Sequence, residues 1–148
     1  MVNIYTPNIG APNYLYIKKI LMDFKGEIDS NTVIAGDCNT PLSSIDRLSR
    51  QKIDKETVTL NDTLGHMGLM DIYRMFHSKA AEYTFFSSAH GMFSKTEHML
   101  GHKINLNKFK KFEIISSILE DHNGMKLEIN YKNKTQKHSN TCRLNSIL

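Results

Sequence analysis

The residues richest in chemistry here are carboxylates, amides and imidazoles that fall where extended segments end. Asp37 and Asn39 follow the apolar Val33 to Ala35 in VIAGDCNTP, Glu97 and His98 stand at another short extended segment, and Asp121 and His122 follow the run from Phe112 to Leu119. Carboxylates and imidazoles exchange protons and ligate cations, and a spacing of two puts Asp37 and Asn39 on one side of an extended chain. Loops at strand ends of α/β sheets are where such groups commonly meet a ligand. An ordinary turn accounts for Gly36 to Pro41 equally well, since Gly, Asp, Asn and Pro are all turn residues. An Asp-His pair alone is more often a surface turn than a site.

The elements that must position these groups can be read from periodicity. Val2 to Tyr5 is β-branched and apolar, is halted by Pro7, and reads as a strand. Behind Pro12, apolar residues at Ile17, Ile20, Leu21, Phe24 and Ile28 follow a helical period from Tyr14 onward. Thr32 to Ala35 reads as the next strand, and strand, helix, strand is the order of an α/β unit. Residues 40 to 53 lack a period and carry Arg47, Arg50 and Lys52, which reads as a long basic loop. Asp54 reads as the N-cap of a helix through KETVTLNDTLGHM that closes near Gly65 or Gly68, followed by a short helix LMDIYRMF. Tyr83 to Ser87, Glu97 to Leu100, Phe112 to Leu119 and Met125 to Tyr131 read as strands, the last two flanking the tight segment EDHNG. From Lys132 onward the chain is polar and basic, as expected of a frayed end or linker, which divides it into 1–131 and 132–148.

Composition bounds the function. The 148 residues suit one domain, with 40% apolar and 23% charged residues and no apolar run near the length of a membrane span. The N-terminal MVNIYTPNIG has no signal-peptide pattern, so an intracellular location, nuclear or cytoplasmic, is expected. Cys38 and Cys142 are expected as reduced thiols, and the sequons at Asn61 and Asn133 are expected to stay unused. The seven histidines offer no pair at a zinc-ligand spacing with a third partner. The net charge of +4 is unevenly spread: Lys103, Lys108, Lys110 and Lys111 form one basic group, and no acidic residue follows Glu128. Such groups suit a phosphate backbone, and a solvated tail explains the second group as readily.

Taken together, Tyr5-Thr6-Pro7-Asn8, Gly36-Asp37-Cys38-Asn39, Tyr83-Thr84-Phe85, Ser94-Lys95-Thr96-Glu97-His98 and Asp121-His122 resemble, in order and approximate spacing, the later motifs of the endonuclease/exonuclease/phosphatase superfamily. The phrases NIYTPNIGAP, PLSSIDRLSRQK, DIYRMFH and EYTFFS are similar to the apurinic/apyrimidinic-endonuclease-like domain of mammalian LINE retrotransposons. The resemblance implies an α/β fold, an incomplete four-layer sandwich of the DNase I-like type, and a remnant of a Mg²⁺-dependent DNA endonuclease. It implies DNA as partner, with no small-molecule cofactor and no membrane. Asp37 would orient or deprotonate the attacking water with Asn39 beside it. His122 would meet a phosphate oxygen, supported by the residue at position 97, and Asp121 would lie near the metal. Tyr5 and Thr84 would lie near the phosphate, and Arg47, Arg50 and Lys52 would bind nucleic acid.

The sequence also departs from that family. Glu97 stands where the family has aspartate, and its extra methylene exceeds the ~0.5 Å tolerance of a preorganised site. Glu120 replaces a serine, and Cys38 replaces a bulky aromatic. The family's first half, with a metal-liganding glutamate, has no counterpart before Met1. Little or no activity is therefore expected of the chain alone. A non-catalytic nucleic-acid-binding remnant, or a translated transposon fragment without selected function, is the alternative.

Overall fold

The computed structural model describes residues 1–7, 12–49, 52–132 and 137–144, beyond Asn130 as backbone only. Strands β1 (Val2–Tyr5), β2 (Ile34–Asp37), β6 (Glu97–His102) and β3 (Leu69–Asp71) form a sheet in the order β1-β2-β6-β3. β1 runs parallel to β2, and β6 runs antiparallel to both β2 and β3. β4 (Phe85–Ser87) and β5 (Met92–Ser94) make a hairpin, while β7 (Phe109–Ile115), β8 (Gly124–Lys132) and β9 (Lys137–Leu144) form an antiparallel meander. The helices are α1 (Asn13–Asp23), α2 (Lys55–His66) and α3 (Ile72–Phe76).

Alternation along β2 and β6 divides the core in two. Ile34 and Leu100 are register partners on the face covered by Ile17 and Leu21 of α1 and by Leu60 and Leu64 of α2. Their neighbours Ala35 and Met99, also paired, pack with Ile72, Tyr73, Phe109, Phe112, Met125 and Leu127 on the other face. A strand period of two thus binds one sheet to a helix layer and to a second sheet. Among the described residues the expected sandwich is present as three layers, α1 and α2, the four-stranded sheet, and the meander. No helix among them is long and apolar enough to cross a membrane.

The helix boundaries have local causes. Asp54 accepts a hydrogen bond from the Thr57 N–H at 2.8 Å, the expected N-cap, which also holds its carboxyl below the usual range. Gly68, at φ 71, closes α2 in the left-handed region. Asp54→Ala is expected to cost about 1 kcal/mol, read as a lowered thermal midpoint with an unchanged circular dichroism spectrum.

Several expectations are corrected. LMDIYRMF is not one helix: Leu69, Met70 and Asp71 pair with His102, Gly101 and Leu100, and only Ile72–Phe76 is helical. The expected tail contains β9, which pairs with β8 from Met125↔Leu144 to Lys132↔Lys137. The second strand lies at Ile34–Asp37, so Asp37 is its last residue. The strand expected to reach Leu119 stops at Ile115, leaving Ile118 and Leu119 almost fully exposed. The basic loop contains a short helical turn at Ser44–Asp46 that closes on the buried Asp46.

Candidate active site

Strand register creates the site. Asp37 and Glu97 are direct partners at one end of the β2-β6 ladder, and Tyr5 is the parallel partner of Asp37 on β1. His122 arrives from the β7-β8 connection, which the β4 region holds in place. The Phe86 N–H donates to the Asp121 carbonyl at 3.0 Å, the Asn123 N–H to the Thr84 carbonyl at 2.7 Å, and the Asn123 side chain to the Tyr83 carbonyl at 3.0 Å. The His122 ring packs on Phe85 with centroids 4.6 Å apart.

In consequence, ligand atoms of Asp37, Glu97 and His122 lie within 4.8 Å of one another. His122 Nδ1 bonds Glu97 Oε1, and Thr84 Oγ1 donates to Glu97 Oε2, which also accepts from Thr96 Oγ1 at 3.2 Å. Glu97 is buried, so its longer arm is fully used: one oxygen aligns the imidazole and the other is anchored by two hydroxyls. With Nδ1 committed to the carboxylate, Nε2 is the ring atom left for a ligand. Asp37 is half-buried and accepts from the Asn39 N–H at 2.8 Å. Burial, and to a lesser degree the neighbouring Glu97, raises its carboxyl above the ordinary value, so it is a better base than an exposed aspartate. Asn39 sits at φ 48, its side chain donating to the Thr6 carbonyl at 2.8 Å while its own carbonyl accepts from Asn13 at 3.0 Å. The left-handed conformation is one that asparagine tolerates better than most residues.

The remaining expected residues fall at different depths. Tyr5 is exposed at the end of β1. Thr84, expected beside the phosphate, has no exposed surface, and its hydroxyl is spent on Glu97. It supports the site from below through the Glu97 carboxylate. Asp121 is exposed and contributes its backbone carbonyl to β4, and its carboxylate is outside the convergent group of three. Arg47 is half-buried and bridges to Ser94 on β5, Lys52 is exposed, and Arg50 lies outside the described residues. Glu120 is exposed, so its charge is screened by water. Cys38 is a free thiol packed in the helix-side core, where burial pushes it up to about 12 and leaves it inert.

His98 follows Glu97 in sequence but points to the opposite face, as strand alternation requires. There Lys95 Nζ lies 2.6 Å from Asp71 Oδ2 and 2.8 Å from His98 Nδ1, and His98 Nε2 is 2.9 Å from the Thr40 carbonyl. Nearby, Arg74 bonds Asp46 Oδ1, and Asp46 Oδ2 accepts from the Leu42 and Ser43 N–H groups at 3.0 and 2.8 Å. Asp46, Asp71 and His98 have metal-like proximity, but the Lys95 ammonium and Arg74 guanidinium already supply the cations between them. Burial alone would raise the Asp71 carboxyl, and Lys95 with His98 overcomes this and holds it well below the usual range. Sequence reading missed this group, since its members are spread from residue 46 to 98.

No family model matches the sequence. Solved structures do. A 3′ phosphatase, NExo, from Neisseria, bound to a product DNA hairpin, superposes with a TM-score of 0.69 at 17% identity, covering 87% of this chain and 60% of that one. The endonuclease domain of TRAS1, a telomere-specific non-LTR retrotransposon, gives a TM-score of 0.65 at 17% identity over 88% of this chain and 56% of its own. The chain has a DNase I-like fold. An AP endonuclease from Archaeoglobus fulgidus shares that fold with a TM-score of 0.62 and 17% identity, over 82% of this chain and 57% of that one. The DNase I-like chain therefore spans less than two thirds of the structures it matches, at identities that speak to fold alone.

Proposed function

We propose that this chain carries the carboxylate and imidazole half of a divalent-metal-dependent phosphodiester hydrolase acting on DNA, an endonuclease of the LINE retrotransposon kind, located inside the cell and weakly active by itself. The observation that carries this reading is the Glu97 carboxylate clamped between His122 and Thr84, directly across the sheet from Asp37. The similarity to a retrotransposon endonuclease domain, and to a phosphatase bound to DNA, supports the substrate class.

In this reading Asp37, with its raised carboxyl, takes a proton from the attacking water. Asn39 fixes the orientation of that carboxylate through its backbone N–H. His122, aligned by Glu97, presents Nε2 to a non-bridging phosphate oxygen, and Tyr5 borders the phosphate from the end of β1. Arg47 and Lys52 would meet the flanking phosphates, and the same role is proposed for Arg50, which lies outside the described residues.

A hard cation such as Mg²⁺ would be held beside this cluster, where Asp121 would offer it a carboxylate and leave Asp37 to act on the water. When bound, such an ion supplies Lewis-acid polarisation of the phosphoryl oxygen. Both oxygens of Glu97 are engaged in the structure, so among the described residues few protein oxygens remain free for the ion. Mg²⁺ tolerates one or two carboxylates by retaining its waters, at the cost of a weak hold, and slow turnover follows from that.

The test is nicking of supercoiled plasmid in Mg²⁺ by the purified chain beside Asp37→Ala and His122→Ala. Slow nicking that EDTA abolishes and that either substitution lowers by at least ~10²-fold is the expected result. Nicking indifferent to both substitutions would overturn the catalytic assignment. Salt-sensitive DNA binding without any nicking would favour a binding remnant.

A further inference from the structure

Beneath the rim, the Lys95, Asp71 and His98 side chains are 0%, 8% and 1% exposed as residues, yet none serves the site chemistry described above. Their hydrogen bonds run in one direction. Asp71 Oδ1 accepts from the Tyr73 N–H at 3.1 Å, tying one end to the start of α3. Its Oδ2 accepts from Lys95, and Lys95 also reaches His98 Nδ1. His98 Nε2 ends the series on the Thr40 carbonyl, one residue beyond Asn39.

A carbonyl only accepts, so Nε2 carries the proton toward Thr40. Nδ1 faces both the Lys95 ammonium at 2.8 Å and Asp71 Oδ2 at 2.9 Å, and the ammonium donating to Asp71 at 2.6 Å draws the three groups together. A buried ionic group of this kind is a poor device for stability, since a well-packed apolar replacement does as well or better. Its geometric product is the fixed Thr40 carbonyl, while Asp46 and Arg74 staple the next residues, Leu42 and Ser43.

We infer that Lys95, Asp71 and His98 are positioning residues that fix Thr40 and, through it, hold Asn39 in its left-handed conformation against the Asp37 carboxylate. Their value for reaction rests on the proposed hydrolase; their effect on Asn39 does not. Residues 97 and 98 of β6 thus serve the rim from both faces of the sheet, Glu97 through His122 and His98 through Thr40.

The test reads geometry first. Nitrogen NMR of the His98 ring in the wild-type chain is expected to show protonated Nε2, coupled across the hydrogen bond to the Thr40 carbonyl carbon. In His98→Leu the Asn39 amide is expected to exchange about tenfold faster, the loss of one hydrogen bond, while amides of α2 and β8 keep their rates. His98→Gln, which retains an N–H donor, is expected to recover part of that protection. Where nicking is measurable, its rate falls with DNA affinity unchanged. Protonation at Nδ1 in place of Nε2, or unaltered Asn39 exchange in a folded His98→Leu, overturns the inference. Should His98→Leu fail to fold, the wild-type ring spectrum and the His98→Gln exchange decide. Absence of nicking in every variant would count against the proposed hydrolase and leave these readouts standing.

Discussion

Lys95→Met is expected to lower the unfolding free energy by about 3–5 kcal/mol, the usual cost of leaving one partner of a buried ion pair uncompensated. A domain has roughly 5–15 kcal/mol in all, so this is a large share. The Lys95 ammonium has no exposed surface, lies 2.6 Å from Asp71 Oδ2 and sits 5.2 Å from the centroid of the Tyr73 ring. Methionine fills much of the same volume, which isolates the charge from the packing. The pH dependence has a definite sign. Because the folded Asp71 carboxyl lies below its unfolded value near 4, its contribution is complete above that value and is lost as pH falls through the folded one. The deficit of Lys95→Met should thus be largest near neutral pH and shrink in acid. Removing the orphaned charge as well, in Lys95→Met with Asp71→Leu, should recover most of the loss. Urea unfolding of the three proteins at neutral and acidic pH measures this. A single variant within about 1 kcal/mol of wild type at neutral pH would mean that Asp71 is not held as a buried anion.

That Lys95 is buried could not be read from its neighbours. In Ser94-Lys95-Thr96 it looks like any solvated lysine, and its carboxylate partner is 24 residues earlier. The site carboxylates were legible because strand ends mark them locally: Asp37 terminates β2, Glu97 begins β6, and antiparallel register brings them opposite. The same local logic located the Asp54 cap and the apolar faces of α1 and α2, whose Ile17, Leu21, Leu60 and Leu64 are buried together.

Where tertiary pairing decides, local signals misled. Leu69, Ile72, Tyr73 and Phe76 satisfy a helical period, yet the first belongs to a three-residue strand recruited by β6. Nothing apolar in Lys137–Leu144 asks for a strand; the open edge of β8 supplies the template. Thr84 is placed by a contact that its neighbours in sequence do not announce. With glutamate at position 97, the longer side chain reaches both His122 and the Thr84 hydroxyl, so the threonine becomes a support for the carboxylate.

Gly36→Ala is the second large effect, expected to cost more than about 4 kcal/mol, in the exceptional range for one substitution. Gly36 faces Ile4 in the parallel β1-β2 pair at φ +150. A Cβ there would stand 1.7 Å from the Ile4 carbonyl oxygen and 2.7 Å from its carbon. Backbone atoms cannot rotate aside as a side chain does, so the methyl group must drive the edge strand β1 off β2. The bonds from the Val2 N–H to Val33 and from the Thr6 N–H to Asp37 go with it, at 2.8 and 3.0 Å in the wild type. Asn39 loses its Thr6 anchor in the same movement, so the rim fails together with the sheet edge. Gly101→Ala is the graded comparison. Its Cβ would meet the ends of the Phe109 and Ile72 side chains at 2.8 and 2.9 Å, which can shift, for a cost of about 1–3 kcal/mol. Thermal unfolding of the two variants side by side separates a backbone collision from a side-chain one. If Gly36→Ala proves no less stable than Gly101→Ala, β1 does not hold the close parallel register on which the placement of Tyr5, Thr6 and Asn39 around Asp37 depends.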